Sequence, residues 1–401
     1  MAKLFIEDLD LKGKKVLMRV DFNVPLDENQ NITDDTRIQA ALPSIKYVLN
    51  NGGTAILMSH LGRPKGQVKP EFSLKPVAAY LSKLIGKEVK MATDCVGNEV
   101  EEIAKNLQPG EILLLENLRF HNAETGKDSP ENNEKFAEDL AKLGDVYVDD
   151  AFGTAHRAHA SMVGVTKHID QCAAGYLLKK EIDYLGGAVE NPVKPFVAIL
   201  GGAKVSDKIP VIENLLTKAD AIIIGGAMAY TFLKAKGHTI GKSMLQEDFI
   251  EISKSFLDKA EEKNIPMLLP IDHICAPEFN AVDKAVEIDS IDIPDDLMAL
   301  DIGPKSIKLF SDEIAKAKTI VWNGPMGVFE KPEFAKGTFA IADAVAASDS
   351  ISIIGGGDSV SAVKKAGVAD KVSHISTGGG ASLEYLEGKV LPGIAALTDR
   401  N

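Results

Sequence analysis

Nowhere in the 401 residues does an apolar run approach the roughly 20 residues needed to cross a bilayer; the longest, such as 112–115 and 221–224, are strand-sized. A membrane-spanning chain is therefore not expected. Cysteine is scarce, with only Cys95, Cys172 and Cys275, widely spaced and without a CxxC pair. That set supports neither a disulfide framework nor a structural zinc site, and buried thiols are expected. The opening MAKLFIEDLDLKGKK carries acidic residues where a signal peptide would carry an apolar stretch, so a cytoplasmic location is expected. An excess of positive charge is also missing: the formal net charge is −13, which argues against a nucleic-acid or anionic membrane surface. Arginine is the rare cation, six of 45 basic residues, and five of the six (Arg19, Arg37, Arg63, Arg119, Arg157) lie in the first 157 positions. Its planar fork grips phosphate and carboxylate with paired hydrogen bonds, so an anion site is expected in the first half of an acidic protein.

What the chain does contain is the alternation of an α/β protein. Apolar, β-branched runs followed by helical patterns imply βαβ units and parallel sheets, and the length exceeds what one core usually organises, so two domains are expected. Strands are predicted over 16–20, 54–59, 111–116 and 145–148, then over 196–200, 221–224, 267–269, 319–322, 351–354 and 372–375. Thr33 is expected to cap a helix running to Asn50, Ser73 one ending before Gly86, and a third is expected over 131–143. Between the halves, 175–190 reads as a helix and Asn191-Pro192-Val193-Lys194-Pro195 as a break.

Four times in the second half a strand runs into glycines and then a helix: LGGAKVSDK, IGGAMAYTF, IGGGDSVSA and STGGGASLE. Any one is an ordinary tight turn. Four at the carboxyl ends of strands in one parallel sheet point to a polyphosphate, because such turns aim backbone N–H groups and helix N-termini at an anion. Both GxxxxGK[ST] and GxGxxG are absent, which disfavours a P-loop enzyme and a dinucleotide oxidoreductase. Lys204 and Lys208 are expected to open a helix. Lys204 reads either as surface charge or as a cation for phosphoryl oxygens, and Asp358 either as a helix N-cap or as a Mg²⁺ ligand.

In the first half the Arg and His residues follow strand ends, in RVDFNVP, SHLGRP, LRFH and TAHRAH, so they are placed to converge on one small polyanion. Arg37 instead lies in a helix after a polar loop, where a plain helix-face charge is the simple account.

RVDFNVP, SHLGRP, ENLRF, DDAFGTAHRAH, LGGAKVSDK, VWNGPMGVFE, IGGGDS and VSHISTGGGASLEYLEGK, in order along nearly the whole chain, resemble the phosphoglycerate kinase family. The resemblance implies two Rossmann-like domains facing a cleft and joined by a hinge helix. Residues 1–172 would take 3-phosphoglycerate or 1,3-bisphosphoglycerate, 173–192 would connect, 193–385 would bind Mg-ADP or Mg-ATP, and 386–401 would return to the first domain. A monomer is expected. On the acid side it implies Asp21, Phe22, Asn23, Arg37, His60 and Leu61, together with Gly62, Arg63, Arg119, His156 and Arg157. On the nucleotide side it implies Gly202, Ala203, Lys204 and Lys208 near phosphates, and Asn323, Pro325, Val328 and Glu330 near adenosine. Gly356, Gly357, Asp358 and Ser359 would close the phosphate end, Asp358 holding Mg²⁺. Ala227 and Ala299 stand where many relatives have glycine and are expected to tighten the adenine slot. Arg37 and Lys204, with the helix starts at Gly357 and Gly380, would neutralise the transferring phosphoryl group. A dead binding protein is disfavoured, because every charged position named retains a competent residue.

Overall fold

The structure, a computed structural model, describes residues 3–400. Two compact units emerge, one comprising the chain up to Ile182 together with the segment from Val390 onward, the other running from Asp183 to Lys389.

The first unit is built on a parallel sheet of β1 (Lys15–Val20), β2 (Thr54–Met58), β3 (Val89–Met91), β4 (Ile112–Leu114), β5 (Val146–Asp150) and β6 (Cys172–Ala174), in the order β3-β4-β2-β1-β5-β6. Strands covered on both faces read as continuous apolar runs. Val16, Met18 and Val20 face Ile38, Ala41, Ile45 and Val48 of α1 (Thr36–Asn50) in one core cluster, while Arg19 in the same strand is fully buried. The other helices are α2 (Lys75–Ile85), α3 (Asn98–Asn106) and α4 (Pro130–Ala141).

Two helix starts differ from expectation. Asp35, not Thr33, occupies the N-cap of α1, and the Thr33 hydroxyl instead bonds the Pro25 carbonyl at 3.3 Å. Leu74 occupies the N-cap of α2; Ser73 Oγ donates to Glu116 Oε2 at 2.6 Å and accepts from Lys75 N–H at 3.2 Å, and Leu74 N–H donates to Glu116 Oε1 at 2.9 Å. The predicted helix over 175–190 is interrupted: α5 (Tyr176–Glu181) passes through a π turn, Ile182–Gly186, into α6 (Gly187–Glu190). The Gly186-Gly187 pair lowers the stiffness of that turn.

The second unit carries β7 (Phe196–Leu200), β8 (Ala221–Ile224), β9 (Met267–Leu268), β10 (His273–Ala276), β11 (Val286–Ile288), β12 (Met298–Ile302), β13 (Thr319–Asn323), β14 (Ile351–Gly355) and β15 (His374–Ile375). Six form a parallel sheet ordered β15-β14-β13-β7-β8-β9, and β11-β10-β12 form a small antiparallel sheet that the sequence reading did not separate. Its helices are α7 (Ile209–Leu215), α8 (Met228–Ala235), α9 (Ile250–Glu262), α10 (Pro304–Ile314), α11 (Lys336–Ala347), α12 (Gly357–Lys365) and α13 (Gly380–Leu386). Val197, Ile199, Ile320, Trp322 and Ile354 share a core with Phe310, Ile314 and Ile341. The register sets Leu200 level with Asn323 and Ile224, and Asn323 level with Gly355. The turns after β7, β8, β13 and β14 therefore lie side by side at one edge.

After α13 the tail, including α14 (Pro392–Ala395), lies on the first unit. There Gly393 N–H donates to the Ala155 carbonyl at 2.8 Å, Thr398 N–H to Cys172 at 2.9 Å and Leu4 N–H to Thr398 at 2.8 Å.

Candidate active site

At the carboxyl edge of the first sheet a chain of polar contacts joins residues far apart in sequence. Arg37, in the first turn of α1, donates from Nη1 to Asp21 Oδ2 at 2.7 Å. Asn23 N–H donates to Asp21 Oδ1 at 3.1 Å and Gly62 N–H to Asn23 Oδ1 at 2.9 Å. Arg119 Nη1 donates to the Gly62 carbonyl at 2.9 Å. The Asp21 carboxylate thus holds the Arg37 guanidinium, and the carbonyl of Gly62, a residue tied to Asn23 through its N–H, holds that of Arg119.

Asn117, fully buried, fastens this edge: Oδ1 accepts from Leu61 N–H at 3.2 Å and Arg119 N–H at 3.0 Å, and Nδ2 donates to the Leu61 and Phe72 carbonyls at 2.7 and 2.8 Å. It stands inside ENLRF, but its positioning role has no local sequence signal. The side chains of Phe22 and Leu61 sit in the core, so neither side chain is free to meet a ligand.

Beneath lies a second network that sequence reasoning did not find. Buried Arg19 donates from Nε to Ser161 Oγ at 3.0 Å and from Nη2 to His60 Nδ1 at 3.1 Å, and also bonds the Val20 carbonyl. Guanidinium only donates, so Nδ1 of His60 accepts and the ring proton sits on Nε2. Burial, then the charges of Arg19, Arg119 and Arg37, hold His60 well below the usual histidine range. Glu124 accepts from Ser161 Oγ at 2.7 Å and Ser161 N–H at 3.0 Å; burial raises its pKa against the pull of Arg19. His159 is pushed down to about 3 by burial and by Arg19, Arg119 and Arg157. Imidazoles held low among arginines leave the positive charge to the arginine and lysine side chains.

Above this floor opens a cavity of about 820 Å³ lined by Arg63, Lys65, Arg119, Lys127, Arg157 and His159. Three of these are expected residues, Arg63, Arg119 and Arg157. Lys65 and Lys127 were not singled out, being lysines in polar loops. His156 is half-buried and does not line it.

In the second unit a cavity of about 260 Å³ lies between the turns of the large sheet and the small antiparallel one. It gathers Gly202, Ala203, Ala227, Ala299, Pro325, Val328, Glu330 and Asp358. Its walls add Tyr230, Met244, Phe279, Met298, Leu300 and Met326, an apolar slot with Glu330 and Asp358 as its carboxylates. Gly226, with φ +66°, permits the close turn: a Cβ there would lie 2.5 Å from Gly202 N.

The remaining candidates stand apart from that lining. Lys204 and Lys208 do not open a helix; α7 begins at Ile209 with Lys208 at its N-cap, and Lys204 is an exposed turn residue before it. Lys208 reaches Asn323 Oδ1, and burial lowers its pKa against the carboxylates of Asp207 and Asp358. Ser359 is buried and its Oγ accepts from Gly324 N–H at 2.6 Å, so it ties α12 to the neighbouring turn. Asp358 is not the N-cap: Gly356 is, at φ +86°, and Gly357 and Asp358 are the first two residues of α12. Gly380 likewise begins α13 after Gly379 at φ +50°. The exposed Asp358 carboxylate, facing the slot, suits a hard cation that takes one protein oxygen and completes its shell from phosphates.

A family model described as phosphoglycerate kinase matches residues 6–389. A protein named phosphoglycerate kinase from Koribacter versatilis is 58% identical over 408 residues, covering 100% of both chains. Another so named, from Acidobacterium capsulatum, is 59% identical, again over 100% of both. The solved phosphoglycerate kinase of Coxiella burnetii superposes with a TM-score of 0.90 at 43% identity, over 98% of each chain.

Proposed function

The chain belongs to the phosphoglycerate kinase family and is a glycolytic kinase, and from that premise we propose how its residues divide the work. Residues 1–172, with 386–401 returning toward them, take the phosphorylated acid on Arg37, Arg63, Arg119 and Arg157, with Asp21 holding the Arg37 guanidinium, the Gly62 carbonyl that of Arg119, Asn23 fixing Gly62, and His60 and His156 beneath or beside them. Residues 193–385 take ADP or ATP: the adenine lies in the slot beside Ala227 and Ala299, Glu330 faces the ribose, and the phosphates run toward Lys204, Lys208, Gly357 and Gly380. Residues 173–192 serve as the hinge. The observation that supports this division is that the basic cavity is lined by one compact unit and the apolar slot by the other.

In the reaction a β-phosphate oxygen of ADP bonds to the phosphorus of the acyl phosphate while the phosphorus–oxygen bond to the acyl carboxylate breaks. The carboxylate leaves with that electron pair, giving 3-phosphoglycerate and ATP. Nucleophile and leaving group are both anionic, so no general base is demanded. The protein has to align them and spread charge over the equatorial oxygens. Arg37 and Lys204 supply the cations, and the starts of α12 and α13 supply oriented N–H groups. Asp358 would hold Mg²⁺, which supplies neutralisation of the nucleotide phosphates when bound. Transfer between ligands on separate units requires closure that excludes water. The enzyme acts as a monomer in the cytoplasm on this reading; among the described residues no helix is long and apolar enough to cross a membrane.

A coupled assay with ATP and 3-phosphoglycerate, following acyl-phosphate formation, tests the activity; steady-state constants for Arg119→Ala test the division. A raised KM for 3-phosphoglycerate with an unchanged KM for ATP supports it, and the reverse pattern overturns it.

A further inference from the structure

Away from the reacting groups, the first unit brings together three side chains for which the kinase mechanism has no use. Asp94 and Cys95 follow β3, and His121 follows the turn Leu118–Phe120; one ligand atom of each lies within 4.8 Å of the others. Among the described residues this is the one group of three such side chains so close together. His121 Nε2 lies 2.6 Å from Asp94 Oδ1, and Cys95 Sγ lies 2.9 Å from the Glu116 carbonyl. The imidazole plane is fixed by stacking on Phe136 at 4.8 Å between centroids. The thiol is fully buried whereas the Asp94 side chain is half exposed, so sulfur forms the floor of the group and carboxylate and imidazole its rim.

We propose that Asp94, Cys95 and His121 bind one divalent ion of the zinc or cobalt class. A sulfur, nitrogen and oxygen set suits borderline metals; magnesium and calcium prefer oxygen alone. Ordinary zinc bond lengths, near 2.0 Å to nitrogen and oxygen and 2.3 Å to sulfur, require the imidazole and carboxylate, 2.6 Å apart, to part by somewhat under about 1 Å and the farthest ligand atoms, up to 4.8 Å apart, to close by a little over about 1 Å. Those movements fall to the half-exposed carboxylate and the part-exposed imidazole. On binding, the S–H bond breaks, sulfur donates the freed electron pair to the metal and the proton passes to solvent; the His121 proton moves to Nδ1 so that Nε2 donates its lone pair. A water takes the fourth position. Burial, then the carboxylates of Asp94, Glu124 and Glu116, hold the Cys95 thiol well above its ordinary pKa, so the thiol keeps its proton until a metal takes its place. His121 also lines the basic cavity, two residues from Arg119.

Titrating the full chain with Co²⁺ in excess Mg²⁺ tests the proposal. One equivalent of cobalt producing a thiolate-to-cobalt charge-transfer band, with proton release, is expected. Cys95→Ser should abolish the band, and His121→Ala should weaken cobalt binding at least tenfold while leaving the melting curve in place. Should Cys95→Ser fail to fold, Asp94→Asn, at the half-exposed rim, gives the same tenfold reading. Cobalt bound without a thiolate band, or with undiminished affinity in both His121→Ala and Asp94→Asn, overturns the site. Surface pairs such as His168 with Glu134 contain no sulfur and cannot produce the band.

Discussion

Arg37 Nη1 lies 2.7 Å from Asp21 Oδ2, linking the first turn of α1 to the loop after β1 across 16 positions of sequence. With 39% of the arginine side chain exposed and 12% of the aspartate, the pair stands at the protein surface, where an ion pair adds only about 0–1 kcal/mol to stability. The contact orients the guanidinium group more than it holds the fold.

We therefore predict that Arg37→Ala lowers kcat by about 10³-fold, the scale of arginines that act on a transferring phosphoryl group, while KM for each substrate moves far less. Arg37→Lys recovers part of the loss, because a point charge cannot reproduce the planar fork. Steady-state constants beside a melting curve check this. A variant with normal kcat and only a raised KM for 3-phosphoglycerate would demote Arg37 to ground-state binding.

Gly226→Ala addresses the nucleotide slot. The new methyl would meet Gly202 N at 2.5 Å, Gly202 O at 2.6 Å and Pro325 O at 2.8 Å, all backbone atoms, from a φ of +66°. Side chains can swing away, but these turns cannot. A loss of about 1–3 kcal/mol from overpacking is expected, with a raised KM for ADP and little change for 3-phosphoglycerate. Calorimetric titration of both ligands into the folded variant decides it; unchanged ADP affinity would place the nucleotide elsewhere.

Three buried carboxyls should contribute stability that falls as pH rises from about 4 to 7. Burial lifts Asp149, Asp150 and Asp301 each to about 7, against an ordinary carboxyl value of 3.8. Through that window the folded chain keeps protons that the unfolded chain releases, so the contribution is fully present below the unfolded value and lost as pH passes the folded one. Groups lowered in the folded state act oppositely: His60, His159 and His273, held low by burial, up to about pH 6.5, and Glu111, lowered by the Gln108 N–H and then by Lys90, below about pH 4.5. Melting at pH 5 and pH 8 should show Asp301→Asn losing less stability over that interval than the parent chain. An equal slope in that variant assigns the titration to other groups.

Closure makes a separate prediction for solution scattering. With 3-phosphoglycerate and Mg-ADP both present, the radius of gyration should be smaller than with either alone, since only the pair supplies contacts that favour the closed state. Equal radii in all ligand states would remove the hinge from the mechanism.

The sequence by itself determined the α/β class, the bounds of β7 and β8, and the glycine turns of the second half. These rest on local causes: buried parallel strands must be apolar throughout, and tight turns at strand ends need glycine. It also showed where arginine is concentrated, because residue type limits which anions can be gripped. The three-residue strands β3, β6 and β11 lack enough positions for a period to show, whereas the short β9 and β15 fall within the predicted 267–269 and 372–375. The start of α1 moved because the Thr33 hydroxyl found the Pro25 carbonyl, and α2 begins a residue later than predicted although Ser73 Oγ accepts from Lys75 N–H while donating to Glu116. Only tertiary structure decided that Arg19 would lie buried against His60 and Ser161, 41 and 142 residues away, that Asn117 would hold Leu61 at 56, and that Arg37 would leave its helix face for Asp21. A hydrogen-bonding group takes whichever partner the packed sheet brings within about 3 Å, and sheet order, not neighbourhood in sequence, sets which strand ends meet.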